Sequence, residues 1–330
     1  PHAKGGLGIV QVAEDDELGR KVALKEILPE KVHNDDTRAR FVLEAEINGG
    51  LEHPGIVPVY SLGVRDDGSP FYAMRFVEGA DLRGKVAEYH TKHPHPHPGT
   101  TEFRDLLNRF TSICNAVAFA HSRGVLHRDL KPHNVMIGNY GEALIIDWGL
   151  AKATGQRFPE PQADAPPRDA EGRDADAAAD HEFPQPLAPP SGGDRALSQG
   201  VGVLGTPNYM SPEQARGDIA SLGPATDVYG LGAILYHMLT NRAPVVGETV
   251  DEIRERVIRG DITSPRSLNP NVPPALEAVC LRALSLDPAN RYPTARALAD
   301  DVARWLADEP VAARAEPWRE RAARWTRKHP

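Results

Sequence analysis

The order of the local patterns is the tightest constraint on this chain, because short strands come first and helices follow. Ile9–Ala13, Lys21–Glu26, Val57–Leu62 and Phe71–Phe76 are apolar and rich in β-branched or aromatic residues, while 36–51 carries the helix signals among them. From about residue 103 apolar residues recur at spacings of three and four, over Glu102–Ser122, Thr226–Thr240, Val250–Arg259, Pro274–Leu284 and Thr294–Ala307. Strands followed by helices predict an α+β chain. Its 330 residues suit about two domains or one large bilobal unit.

Two stretches interrupt this order. His93 to Pro98 alternates histidine with proline, which fixes an extended loop because each proline restricts itself and its predecessor. Residues 153–203 hold eight prolines, ten alanines, nine acids and four arginines, with almost no large apolar side chain. That composition cannot bury enough surface to offset ordering entropy, so a disordered insert is expected. Its charge of −5 is most of the chain's −8, leaving a nearly neutral folded remainder.

The overall charge argues against a nucleic-acid binder, which needs a basic excess. Cys114 and Cys280 both fall on apolar helical patterns and read as reduced core thiols. The uncharged apolar stretch Val228–Leu239 is too short to span a membrane and suits a buried helix. Trp305, Phe110 and Phe119 lie on apolar helix faces and read as core packing.

The chemistry-bearing residues are spread along the chain. Lys4-Gly5-Gly6-Leu7-Gly8-Ile9-Val10 puts glycines before a strand, a pattern shared by plain turns and phosphate-binding loops. Seventeen residues beyond Gly8, the strand Val22-Ala23-Leu24 ends in Lys25, either an edge charge or a ligand for a polyphosphate. The sharpest signal is His127-Arg128-Asp129-Leu130-Lys131-Pro132-His133-Asn134, with Asp147-Trp148-Gly149 beginning thirteen residues after Asn134. Phosphoryl transfer needs a carboxylate near the attacking hydroxyl, a cation on the transferring phosphate and oxygen ligands for magnesium, and these residues supply all three.

With these motifs the chain resembles the eukaryotic-like (Hanks-type) serine/threonine protein kinases of bacteria, from Lys4 to about Leu306. The resemblance implies a bilobal α+β fold: a small β-sheet lobe with one main helix over 1–78, and a larger helical lobe over 79–308 that contains the 153–203 insert in its activation segment. It implies ATP and Mg2+ in the cleft. Gly5, Gly6 and Gly8 would cover the phosphates. Val10, Ala23 and Met136 would sandwich the adenine, with Met74 as gatekeeper and Arg75, Phe76 and Val77 as the hinge. Lys25 would hold the α- and β-phosphates and be fixed by Glu44, preferred over Glu46 by its spacing to His53-Pro54. Asp129 would orient the acceptor hydroxyl, Lys131 would support the γ-phosphate, and Asn134 with Asp147 would hold magnesium. Lysine two places after Asp129 implies serine or threonine as acceptor, not tyrosine.

Structural roles follow from the same resemblance. Thr206 is expected to bond Asp129 and Lys131. Glu213 would pair with Arg291, tying the end of the activation segment to the helical lobe, and Asp227 would brace the catalytic loop. Arg128 before Asp129 implies an activation segment ordered by phosphorylation, for which Ser198, eight before Thr206, is the candidate acceptor.

The chain departs from the family pattern in four places. Ala3 stands where the first loop glycine usually lies, and the strand before it is expected to be missing. Trp148 replaces the usual phenylalanine, Ser211 stands where many relatives have alanine, and Asn48, four after Glu44, occupies a position where relatives commonly pack an apolar side chain against that aromatic.

Two rivals have the same outline: a pseudokinase scaffold, and a small-molecule kinase of related fold. Retention of Lys25, Glu44, Asp129, Asn134 and Asp147 opposes the first, and the peptide-docking segment Gly205–Glu213 opposes the second. His90, His93, His95 and His97 read as a surface loop, not a metal site. The segment 309–330 is basic, with six Arg/Lys against two Glu from Val311 onward and Trp318 and Trp325 seven apart. It reads either as a solvated helix end or as a membrane-proximal or partner-binding helix. On the second reading the chain is part of a longer protein that continues past Pro330 into a membrane span, with this domain on the cytoplasmic side and protein substrates as its partners.

Overall fold

The computed structural model describes residues 3–4, 7–93, 99–154, 206–318 and 321. The small lobe is an antiparallel sheet of β1 (Ala3–Lys4), β2 (Gly8–Asp15), β3 (Arg20–Ile27), β4 (Val59–Val64) and β5 (Pro70–Arg75), in the order β1-β2-β3-β5-β4. One face packs on α1 (Asp35–Gly49), which starts at Asn34, whose side chain accepts from the Thr37 amide. Ala3 pairs with Val10 and Lys4 with Ile9, so two residues cover the edge of β2. This pairing starts at Ala3, so it does not bear on the strand expected to be missing before that residue.

The register of β3 explains much of the cleft. Ala23 lies opposite Met74 and Lys25 opposite Tyr72, so alternate residues of β3 face the apolar cluster of Ala23, Ile27, Phe41, Ala45, Tyr72, Met74 and Val77. Lys25 is a cation placed on that buried face.

The larger lobe begins with β6 (Gly79–Asp81) and α2 (Leu82–Lys92), followed by α3 (Thr101–Ser122), β7 (Val125–Leu126), β8 (Val135–Gly138), β9 (Ala143–Ile145) and β10 (Lys152–Ala153). The helices α4 (Pro212–Arg216), α5 (Pro224–Thr240), α6 (Val250–Arg259), α7 (Pro265–Leu268), α8 (Pro274–Ala283) and α9 (Ala295–Leu306) complete it. Helix α5 is buried on every side from Thr226 to Leu239, which is why its sequence is uncharged apart from Asp227 and shows no polar stripe. Gly230 makes this packing possible: a Cβ there would lie 2.9 Å from the Leu130 Cβ of the catalytic loop. Phe110, Cys114 and Cys280 are fully buried, and Phe119 and Trp305 pack against the same core as the pattern predicted.

Two expected segment limits move. Ala153, the first residue of the expected insert, is buried in β10 opposite Val125, and the Thr154 amide donates to the Gly124 carbonyl at 2.9 Å. The remainder of the insert, with Ser198, lies outside the described residues, as do Gly5, Gly6, His95, His97 and Trp325. The basic tail starts as part of the lobe: buried Asp301 accepts from the amides of Ala312 and Ala313 and from Tyr292 Oη, and Val311 is buried.

The strongest tie between the activation segment and the helical lobe is Arg291. Its five N–H groups are all used, two on Glu213 (2.7 and 2.8 Å) and the others on the carbonyls of Ala225, Ser285 and Leu286. Burial pushes the Glu213 carboxyl up, but the guanidinium more than reverses this and holds it below the usual range. Removing one partner strands a buried charge, so Arg291→Met is expected to cost about 3–5 kcal/mol of stability. Urea unfolding at neutral pH measures it, and a loss below about 1 kcal/mol would show that the pair is not the tie described.

Candidate active site

The catalytic loop runs from the end of β7 into β8 and is shaped by one carboxylate. Asp227, at the start of α5, accepts from the amides of His127 (Oδ2, 2.8 Å) and Arg128 (Oδ1, 2.7 Å) and from His121 Nε2 (2.8 Å). Arg128 has φ of 65°, the left-handed region that a branched chain rarely adopts, and the two bonds from its own amide and its predecessor's hold it there. The Arg128 Nε donates to the Leu150 carbonyl at 2.6 Å, while its carbonyl accepts from Gln214 Nε2 at 2.6 Å. Gln214 is itself set by a capping box with Ser211, whose hydroxyl accepts from the Gln214 amide (3.4 Å) as the Ser211 amide donates back to Gln214 Oε1 (3.1 Å). The serine thus has a local reason to stand there.

The loop presents Asp129 with two partners. Lys131 Nζ lies 2.7 Å from Asp129 Oδ2, and Asn134 Nδ2 donates to the Asp129 carbonyl (2.8 Å) and to Oδ2 (3.1 Å). Burial pushes the Asp129 carboxyl up, with Lys131 opposing, and the net direction is upward. With its Nδ2 spent on Asp129, Asn134 turns its Oδ1 away from those acceptors. The Ile146 amide donates to the Asn134 carbonyl at 3.0 Å, which sets Asp147 beside Asn134 across the β8–β9 hairpin. Asp147 has a side chain 43% exposed, and its Oδ1 accepts from the Gly149 amide at 3.2 Å. An amide oxygen and a carboxylate at the mouth of a cleft are the hard oxygen donors a magnesium ion takes, so the residues fit the expected metal.

Across the cleft Lys25 pairs with Glu44 of α1 and reaches Asp147 Oδ1 at 3.6 Å. Burial lowers the Lys25 pKa, but Glu44 and Asp147 overcome it and hold the amine charged, well above its ordinary value. Glu46, the alternative to Glu44, points to solvent. Gly8 begins β2 where a Cβ would run into the Glu26 carbonyl oxygen, a close approach only glycine permits. Val10, Ala23, Met74, Phe76, Val77 and Met136 belong to one apolar cluster, the surface chemistry that a flat heterocycle would need. At the hinge the Arg75 amide is taken by the Pro58 carbonyl (3.0 Å) and is not available to a ligand.

One expected bond is not formed. Thr206 lines the small cavity beside Asp129, but among the described residues it makes no hydrogen bond to Asp129 or Lys131, whose own partners are each other and Asn134. Three contributors escaped sequence reasoning. Tyr72 donates to Glu44 Oε1 at 2.8 Å, a role hinted at only by its register opposite Lys25; His121 and Gln214 carry no local signal at all.

Burial pushes the Asp227 carboxyl up, but His121 and the loop amides more than reverse this, holding it below its usual range. Its stabilisation is therefore complete above the unfolded pKa near 3.9 and lost as pH falls through the lower folded value. Asp227→Asn turns an amide N–H toward a donor and is expected to cost about 3 kcal/mol at pH 7. Urea unfolding as a function of pH checks this: the gap from the unsubstituted protein should close on acidification, and a pH-independent gap would contradict the assignment.

The protein kinase domain family profile matches residues 3–163 and 195–303. The chain is 36% identical over 310 residues to serine/threonine-protein kinase PknD of Protochlamydia amoebophila (strain UWE25), covering 92% of this chain and 29% of that protein. It is 34% identical over 311 residues to PknD of Chlamydia felis (strain Fe/C-56), covering 93% and 30%, and 32% identical over 298 residues to PrkC of Bacillus subtilis (strain 168), covering 90% and 38%. It thus spans about a third of the length of these relatives. A fixed catalytic loop, a charged lysine–glutamate pair across an apolar cleft and this extent of similarity place the chain in the protein kinase family, among its bacterial Hanks-type serine/threonine members.

Proposed function

We propose that this domain transfers the γ-phosphoryl group of ATP to serine or threonine hydroxyls of proteins. The observation that carries the reading is Asp129, a half-buried carboxylate held between Lys131 and Asn134 at the mouth of a cleft whose other wall presents Lys25. Magnesium, ligated through Asn134 and Asp147, would supply charge neutralisation for the phosphates. Lys25, fixed by Glu44, binds and orients the α- and β-phosphates. Lys131 places its charge beside the transferred group. Asp129 orients the acceptor hydroxyl and takes its proton as the hydroxyl oxygen bonds to phosphorus. The bond from phosphorus to the bridging oxygen then breaks and ADP leaves. The pseudokinase alternative has no missing group in its favour, since all five of the residues it would need to lose are present and in place.

For regulation, the reading includes autophosphorylation of the activation segment, with Ser198 as acceptor and Arg128 as the supporting sign in the sequence. For location, it puts the domain on the cytoplasmic side of a membrane, supported by the basic segment after Leu306. Among the described residues no helix is long and apolar enough to cross a membrane.

Transfer of labelled γ-phosphate to a basic acceptor protein tests the chemistry. Asp129→Asn is expected to lower the rate by at least about 10²-fold, and an unchanged rate would overturn the role of Asp129. The pH profile gives a second check. Activity needs the ionised Asp129, so its acid limb should lie above the ordinary carboxylate range near 3.9, and Lys131→Met, by removing the group that lowers this pKa, should move the limb to higher pH. A limb that stays put or moves to lower pH would contradict the electrostatics described.

A further inference from the structure

The first turn of α2 carries a cation that no acid answers. Arg83 is the second residue of this helix, which packs on the turn 132–134 just after Asp129 and Lys131. It is exposed, and among the described residues its one bond goes to a ring: Nη1 donates to His133 Nε2 at 2.9 Å. The nearest acid in sequence, Asp81, caps the helix, its Oδ1 accepting from the Gly84 amide at 2.7 Å. A positive charge in the first turn of a helix also opposes the macrodipole. Local stability therefore gives no reason for an arginine here.

His133 decides what the guanidinium can meet. A guanidinium only donates, so Nε2 of His133 accepts and the ring proton sits on Nδ1, a buried donor with no partner among the described residues. Burial first, and then the Arg83 charge, push this imidazole's pKa down, so the ring is neutral at pH 7. The same two causes hold His237 of α5 at about 4, and its Nδ1 lies 3.1 Å from Tyr209 Oη. Tyr209, which also feels the Arg83 charge, lines the cavity beside Asp129 together with Thr206. Arg83 thus stands between the catalytic-loop turn and the end of the activation segment, on the side from which an acceptor hydroxyl reaches Asp129. One permanent cation, neutral rings and an unsatisfied donor make a site that lacks an acceptor.

We propose that Arg83, held by His133, is a specificity-determining residue that binds the carboxylate of an aspartate or glutamate close to the acceptor serine or threonine of the protein substrate. Donation to His133 leaves four of the five guanidinium N–H groups for a ligand, enough for the paired N–H···O bonds that a carboxylate takes. With Lys131 paired to Asp129, one guanidinium matches a singly charged carboxylate better than a phosphate dianion. A basic side chain at the same place meets a like charge and is disfavoured.

The inference rests on the phosphotransfer reading, and its experiment separates the two. Peptides with one acceptor serine carry a single glutamate walked through the flanking positions, and each is compared with the same peptide bearing alanine or arginine there. At the best position glutamate is expected to raise kcat/KM about fivefold over alanine, mainly through KM. Arg83→Ala should bring that ratio to about one. Arg83→Glu should turn the preference toward arginine, a reversal that loss of structure does not produce. A ratio near one at every position in the unsubstituted chain, or a glutamate preference kept in both variants, would overturn the proposal and leave phosphotransfer standing. No transfer to any peptide or to the basic acceptor protein counts instead against the phosphotransfer reading. Fluorescence anisotropy of the labelled peptides then decides on Arg83: the glutamate peptide should bind about fivefold tighter than the alanine peptide, and equal affinities would overturn the proposal.

Discussion

The structure depends on the Asp227 carboxylate. It is buried, and it satisfies three donors from two different parts of the chain, the amides of His127 and Arg128 and the ring of His121. Bonds to an ionised acceptor contribute about 1.5–3 kcal/mol each, enough to hold Arg128 in a left-handed conformation that costs about 1–2 kcal/mol. That turn brings Asp129, Lys131 and Asn134 to bear on one another. Helix α5 can present the carboxylate so close only because Gly230 lets its backbone lie against Leu130. A substitution in the helical core thus reaches catalysis through the loop, without touching any reacting atom.

The second dependency crosses the cleft. Lys25 is buried among apolar side chains and stays charged because Glu44 and Asp147 lie on either side of it. Tyr72 fixes the Glu44 carboxylate from the neighbouring strand, so the lysine, its partner and the partner's brace come from β3, α1 and β5. The position of α1 therefore sets the surroundings that keep the Lys25 amine charged.

Much of the site could be read in the sequence because its residues cluster in short runs with fixed chemistry. Asp129, Lys131, Asn134 and Asp147 lie within nineteen residues, and the Glu213–Arg291 pair rests on motifs at both ends. The contributions that escaped reading are long-range and carried by ordinary residue types. His121 meets Asp227 across 106 positions and Gln214 meets Arg128 across 86, and no periodicity encodes either contact. The expected Thr206 bond is likewise long-range: Thr206 lies 77 positions from Asp129 and lines the cavity beside it without bonding to it.

The most direct test of this account is a balance sheet of the reaction. The chain would be incubated with ATP, magnesium and an acceptor protein, with ADP and phosphorylated serine or threonine measured together by chromatography and mass spectrometry. The account predicts that each ADP released is matched by one phosphate on a serine or threonine hydroxyl. ADP and free phosphate produced without phosphoprotein would contradict it, because the loop would then be directing water, not a protein hydroxyl, at the transferring group.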